Sequence, residues 1–214
     1  MAEATPTSPP GAPKPDLTVT ESAEPLVTVR WNDVDSGGLE TDYSVRYSIN
    51  GGPKRDATLG SGNSATFTVK NLRPGESVHV EVEVTARNDG GSTVGTIDRT
   101  VSRPVPMPTE LEVEPVYGDP ITINIDWRGV SGVSKYGVAW SVNGGEVSSR
   151  EVDTTSFVLG SADVQFQAGQ SIKISVRAIG EGGARSDALE KTIIISPPEP
   201  EPDSTADPEG LDDD

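Results

Sequence analysis

Six landmarks recur in the same order along this chain. Trp31 returns as Trp127, Tyr43 as Tyr136, Asn50-Gly51-Gly52 as Asn143-Gly144-Gly145, Gly75 as Gly169, Gly90-Gly91 as Gly182-Gly183 and Thr100-Val101 as Thr192-Ile193. The offsets run from 92 to 96 residues, so whatever one half folds into, the other must fold into as well. A length of 214 residues holds two domains of that size.

Apolar residues in each half fall at a spacing of two. The first half has Leu17/Val19, Val27/Val29/Trp31, Tyr43/Val45/Tyr47/Ile49, Phe67/Val69 and Val78/Val80/Val82/Val84. The second has Leu111/Val113, Ile121/Ile123/Ile125/Trp127, Tyr136/Val138/Trp140/Val142, Phe157/Leu159 and Ile172/Ile174/Val176/Ala178. Alternation of this kind buries one face of a strand. A strand near residues 57–59 and another near 96–101 bring the expected number per copy to seven. Asn-Gly-Gly supplies the positive φ of a tight hairpin turn. Seven short strands in about ninety residues predict a two-sheet sandwich.

Composition removes most chemistries. With no cysteine, there are no disulfides, thiolate metal sites or cysteine nucleophiles. His79 is the one histidine, which leaves little for triad or histidine-liganded metal catalysis. Seventeen basic residues against 34 acidic ones give a net charge of −17, which opposes nucleic-acid and anionic-membrane partners. No Gly-rich phosphate loop or nucleophile elbow occurs. No enzyme activity and no cofactor are expected.

Both halves resemble fibronectin type III domains. The resemblance rests on a proline-led first strand (Pro15 to Val19), Trp31 closing the second, Tyr43-x-Val45-x-Tyr47 on the third, and Leu72-Arg73-Pro74-Gly75 before a long strand ending in Ala86-Arg87-Asn88. The second copy keeps Trp127, Tyr136-x-Val138-x-Trp140 and Val176-Arg177-Ala178. Where the family usually has a corner tyrosine, this chain has Val78 and Ile172, and Phe166-Gln167-Ala168 replaces the Leu-x-Pro motif. The expected fold is all-β, two tandem seven-stranded fibronectin type III-like (immunoglobulin-like) sandwiches with disordered or extended proline-rich termini.

The expected organisation is a Pro-rich arm over 1–15, a first domain over 16–103, a Pro-rich linker over 104–108, a second domain over 109–196 and an acidic tail over 197–214. The arm and the tail offer little to bury and are expected to stay extended and mobile. Alternating prolines in 104–108 favour a semi-rigid spacer. The N-terminus has no basic n-region or apolar stretch of a secretory signal, and no window is long and apolar enough to span a membrane, so a chain made in the cytoplasm is expected.

Several residues are candidates for more than packing. Asp33 and Asp35 begin a run with the alternate carboxylates of a calcium loop, but its twelfth position is Ser44, and a solvated loop is the better reading. No other metal site is indicated. Trp31, Tyr43, Tyr47, Trp127, Tyr136 and Trp140 take inward positions and read as structural core. On one outward face the first copy carries His79, Glu81 and Glu83 with Arg46 nearby, whereas the second carries Lys173 and Arg177. Opposite charges on equivalent faces suit a head-to-tail contact between neighbouring molecules, but two unrelated solvated faces are the better reading because exposed charge pairs contribute little each.

A chain of two type III modules with acidic ends is similar to the accessory and decoration proteins of tailed bacteriophages. That resemblance implies a non-enzymatic structural protein on a virion surface, with capsid or tail proteins or further copies of itself as partners and a weak cell-surface glycan as a further ligand. The alternative is a spacer or weak carbohydrate-binding module of a secreted or cell-surface bacterial protein.

Overall fold

Alternation of side chains along the strands builds the architecture directly. The structure is a computed structural model and describes residues 8–196; residues 1–7 of the expected arm and the whole of the expected acidic tail lie outside the described residues. The chain divides into two compact units, residues 129–136 and 177–187 being grouped with the first, which otherwise ends at Met107.

The strands before residue 103 are β1 (Pro15–Thr20), β2 (Leu26–Trp31), β3 (Asp42–Ile49), β4 (Arg55–Asp56), β5 (Thr58–Leu59), β6 (Ser64–Thr68), β7 (Ser77–Asn88) and β8 (Gly91–Ser102). They form two four-stranded sheets, β1-β2-β6-β5 and β4-β3-β7-β8. The strand expected near residues 57–59 is two short pieces. β4 pairs with β3 in one sheet and β5 with β6 in the other, so the chain changes sheets at Ala57, whose N–H donates to the Val45 carbonyl at 2.9 Å.

After residue 108 come β9 (Thr109–Val116), β10 (Thr122–Arg128), β11 (Lys135–Val142), β12 (Ser148–Val152), β13 (Ser156–Leu159), β14 (Ser171–Ile179) and β15 (Leu189–Ile194). Their sheets are β13-β10-β9 and β12-β11-β14-β15. Here the strand after the hairpin stays with β11 alone, which leaves β13 at an edge.

Each core is made by the inward residues of facing sheets. Leu17, Val27, Val29, Val80, Val82 and Val84 are buried in the first sandwich, and Ile123, Ile125, Leu159, Ile172 and Ile174 in the second. Burying one such side chain stabilises by about 1.5–3 kcal/mol. Aromatic pairs join the layers: Tyr47 of β3 stacks on Phe67 of β6 with centroids 3.8 Å apart, and Trp140 of β11 stacks on Phe157 of β13 at 5.8 Å. Trp31 and Tyr43 form a further tilted pair at 5.5 Å.

The repeated turns are built alike. Asn50 and Gly51 have φ of 50° and 69°, and Asn143 and Gly144 have 49° and 69°. Two consecutive positive φ angles define the turn whose twist matches a hairpin. Each asparagine does more: the Asn50 Oδ1 accepts the His79 N–H at 2.8 Å, and the Asn143 Oδ1 accepts the Ser171 N–H at 2.9 Å. Both turns are thereby pinned to the next strand of their sheet.

The corner without a tyrosine is tied by other means. Val78 and Ile172 are buried among the core residues. The Glu76 carboxylate accepts the Arg73 N–H at 2.8 Å, and at the equivalent place the Gln170 Oε1 accepts the Gln167 N–H at 2.9 Å. Gly75 and Gly169 adopt φ of 83° and 86° and donate to the carbonyls of Arg103 and Ile195.

One expectation is overturned. Residues 8–14, expected to be mobile, are packed on the first sandwich, because proline rings bury without needing a donor partner and the chain finds hydrogen bonds from elsewhere. Pro10 and Pro13 are buried. Gly11 donates to the Asp35 carbonyl at 2.9 Å, its own carbonyl accepts the Thr93 hydroxyl at 2.8 Å, and the Lys14 N–H donates to the Asn32 Oδ1 at 2.7 Å. Backbone of Ser8 lies where a Cβ on Gly90 would stand, and the Pro13 carbonyl lies where one on Gly95 would stand. Asn88, 8% exposed, ties the strap down: its Nδ2 donates to the carbonyls of Ser8 and Ser36 at 3.2 and 3.4 Å, and its Oδ1 accepts from Gly90 at 2.9 Å.

Two outcomes follow for the full chain. Asn50→Gly and Asn143→Gly keep the positive φ but remove the side-chain acceptor, and each should cost about 1 kcal/mol by chemical denaturation. Asn88→Ala and Gly95→Ala should each destabilise by about 1–3 kcal/mol and speed amide exchange at Gly11; unchanged exchange there would show that the strap is held by other contacts.

Candidate functional site

Polar side chains converge at one end of the first sandwich, where the β2–β3 loop, the β5–β6 turn and the β7–β8 turn meet. A cleft of about 670 Å3 is lined by Arg30, Trp31, Asn32, Asp33 and residues 61–64. A second concavity of about 530 Å3 is lined by Glu40, Asp42, Arg87, Asn88, Asp89 and Gly91.

The first cleft is held by its own hydrogen bonds. The Trp31 N–H donates to the Asn63 carbonyl at 3.1 Å, which docks the β5–β6 turn on the end of β2. The Asn63 Nδ2 donates to the Asp33 Oδ1 at 2.6 Å, the Asn32 Nδ2 to the Asp33 carbonyl at 2.7 Å, and the Ser64 hydroxyl to the Ser61 carbonyl at 3.0 Å. Trp31 is 8% exposed, and its indole N–H is buried without a hydrogen-bond partner. The Arg30 side chain has no ion pair among the described residues.

The calcium candidates sit on this end and are engaged locally. The Asp33 carboxylate accepts from Asn63, and the Asp35 Oδ1 accepts the Gly37 N–H at 3.0 Å, an Asx-type turn that the φ values of 62° and 82° at Gly37 and Gly38 complete. Among the described residues no three histidine, aspartate or glutamate side chains converge as metal ligands.

The charged residues of the outward faces are largely matched within their own sheets. Lys54 pairs with Glu83 at 2.5 Å, Arg46 with Asp56 at 3.1 Å and Lys173 with Glu190 at 2.8 Å. The His79 Nε2 lies 3.7 Å from Glu81 and 3.8 Å from Asp98. Arg177 is exposed on β14. The Ser48 hydroxyl donates to the Glu81 carboxylate at 3.2 Å, and Ser48 and its repeat-equivalent Ser141 are buried although they stand on outward positions. Exposed pairs of this kind contribute about 0–1 kcal/mol each and lower the free charge of the face.

The six aromatic candidates occupy the sandwiches. Trp31, Trp127, Tyr136 and Trp140 are buried, and Tyr43 and Tyr47 are half-buried against the first core. The Tyr136 hydroxyl accepts the Val130 N–H at 2.8 Å and so fixes the loop after β10. Sequence reasoning did not reach Asn88, Asn63 or Arg30. Asn88 lies one residue before the Asp-Gly-Gly turn, and that turn-flanking position was the available signal.

Comparison with known proteins agrees with this geometry. Residues 8–98 match the family model described as "Fibronectin type III domain". The matched span includes the packed strap of residues 8–14. A two-domain fibronectin type III segment of chicken tenascin superposes with a TM-score of 0.57 at 18% identity, covering 85% of this chain and 98% of that one. The first to third fibronectin domains of chicken CNTN1 give a TM-score of 0.39 at 17% identity, covering 89% and 69%. A Kelch domain-containing protein of Sulfurisphaera tokodaii is 28% identical over 102 residues, which is 48% of this chain and 13% of that relative's length. Residues 8–98 match a fibronectin type III domain, and the chain as a whole has the all-β sandwich fold of its tenascin neighbour.

Proposed function

We propose that this chain is a non-enzymatic structural and interaction protein, and more narrowly an accessory protein of a tailed-phage virion that presents type III domains on the head or tail surface. Domains of this family are generally non-catalytic interaction modules. The observation that carries the broader reading is how the reactive side chains are used: Asp33, Asp35, Glu81, Glu83 and Lys173 each hold a turn or a strand pair.

The narrower placement rests on the resemblance of the sequence to phage accessory proteins. Contact with capsid or tail proteins, or with further copies, then uses the outward faces that bear Arg46, His79, Glu81, Glu83, Lys173 and Arg177. Since Lys54 and Glu190 already neutralise Glu83 and Lys173, such contacts draw on shape and hydrogen bonding more than on long-range steering.

The second reading, a spacer or weak carbohydrate-binding module of a larger surface protein, is favoured by one observation: the matched relative is far longer than the segment it shares. Particles banded from the organism that carries this gene separate the two. This chain in the particle band at stoichiometric copy number supports the virion assignment. The same sequence recovered only within a longer cell-envelope polypeptide overturns it.

A further inference from the structure

The cleft at the end of β2 is more than a gap between loops. Its groups come in two sets: those spent on holding it together and those left facing outward. Asp33, the Nδ2 of Asn63 and the amide of Asn32 belong to the first set. The Arg30 guanidinium, the side-chain carbonyl of Asn63 and the Ser61 hydroxyl belong to the second, while the Trp31 indole N–H is buried beneath the cleft surface. The Asn63 carboxamide, already fixed by one hydrogen bond to Asp33, offers its remaining groups in a set direction.

The second copy shows that the fold does not demand this set. Its equivalent tryptophan makes the same turn-docking bond, Trp127 N–H to the Thr155 carbonyl at 3.0 Å. Yet Arg30, which pairs in register with Ser64, corresponds to Asp126, which pairs in register with Ser156. Asn63 corresponds to Thr155, and Asp33 to Gly129. Docking of the turn is common to both copies, whereas the cation and the carboxamide belong to the first alone.

We propose that this cleft binds a short saccharide bearing one carboxylate, with Arg30 taking the carboxylate and Asn63 and Ser61 the ring hydroxyls. A volume of about 670 Å3 is within the range of small-ligand sites and admits one or two sugar rings. The fixed carboxamide of Asn63 and the Ser61 hydroxyl match vicinal hydroxyls, which are donors and acceptors at once. A guanidinium free of protein partners gives a planar two-point contact to a carboxylate. The net charge of −17 repels a long polyanion but acts little on a single carboxylate at physiological ionic strength, where screening reaches about 8 Å. The proposal rests on the carbohydrate-binding reading above, whose ligand class and site it names, and holds on a virion or on an envelope protein alike.

The test is titration of the full chain with methyl β-D-glucuronide, its neutral counterpart methyl β-D-glucoside, and acetate, followed by amide and indole N–H chemical shifts. The expected result is millimolar binding of the glucuronide, with shifts confined to residues 30–33 and 61–64 and the Trp31 indole. The glucoside should bind about tenfold more weakly, and Arg30→Gln should weaken the glucuronide to the same level while leaving the thermal midpoint unchanged. Equal binding of both glycosides, or no effect of Arg30→Gln, overturns the role of the carboxylate. Acetate binding as tightly as the glucuronide reduces the cleft to a small-anion site and overturns the saccharide. Shifts elsewhere, or none, overturn the site and leave the virion assignment to be decided by particle banding.

Discussion

The stacked aromatic pair that joins the two sheets is the contact on which each sandwich depends. Two sheets facing each other across about 10 Å need side chains long enough to meet in the middle. Tyr47 on Phe67 and Trp140 on Phe157 do this; the third-strand rings are equivalent in the repeat, whereas their partners stand two residues apart in register. An aromatic pair is worth about 0.5–1.5 kcal/mol beyond the area it buries, and it also fixes the register in which the valines and isoleucines around it interdigitate. At the corner that a tyrosine usually closes in this fold, Glu76 and Gln170 each satisfy one backbone N–H.

Duplication separates what the fold requires from what it leaves free. Retained in both copies are the Asn-Gly turn with its side-chain anchor, the positive-φ glycine of the corner, the buried serine of the third strand and the aromatic clasp. Free to differ are the sheet exteriors. On the first sheet Thr18, Thr28, Thr66 and Thr58 stand in register across four strands, an uncharged row. In the second unit the corresponding row is Glu114, Asn124 and Val158. The shared features are spent on folding, and the exteriors carry what distinguishes one copy from the other.

Most of the framework was legible because its signals are local. Period-two alternation marks strands regardless of what they pair with, and Asn-Gly announces its backbone angles by itself. The rest depends on contacts that sequence order does not reveal. Residues 8–14 read as a tail since they contain no large apolar side chain, yet Gly90, Gly91 and Gly95, some 80 residues later, leave the room in which that backbone lies. Ser48 reads as an exposed residue on an outward face, and its burial follows from Glu81 on the neighbouring strand folding over it. The change of sheet at Ala57 is set by a bond to Val45 and by nothing in the local pattern.

The same logic accounts for the loop end. The strap is secured through Asn32, Asp35, Asn88 and Thr93, so these residues have a structural role at this end. The strap thereby stiffens the β2–β3 and β7–β8 connections and keeps Asn32 and Asp33 in place beside the cleft. Rigid loops on a rigid sandwich lose little conformational freedom when a partner docks, which lets a shallow polar surface hold a ligand that a mobile one would not. The glycines of the last strand and the asparagine before it therefore bear on the support of the cleft loops as well as on folding, although none of them lies in the wall of the first cleft.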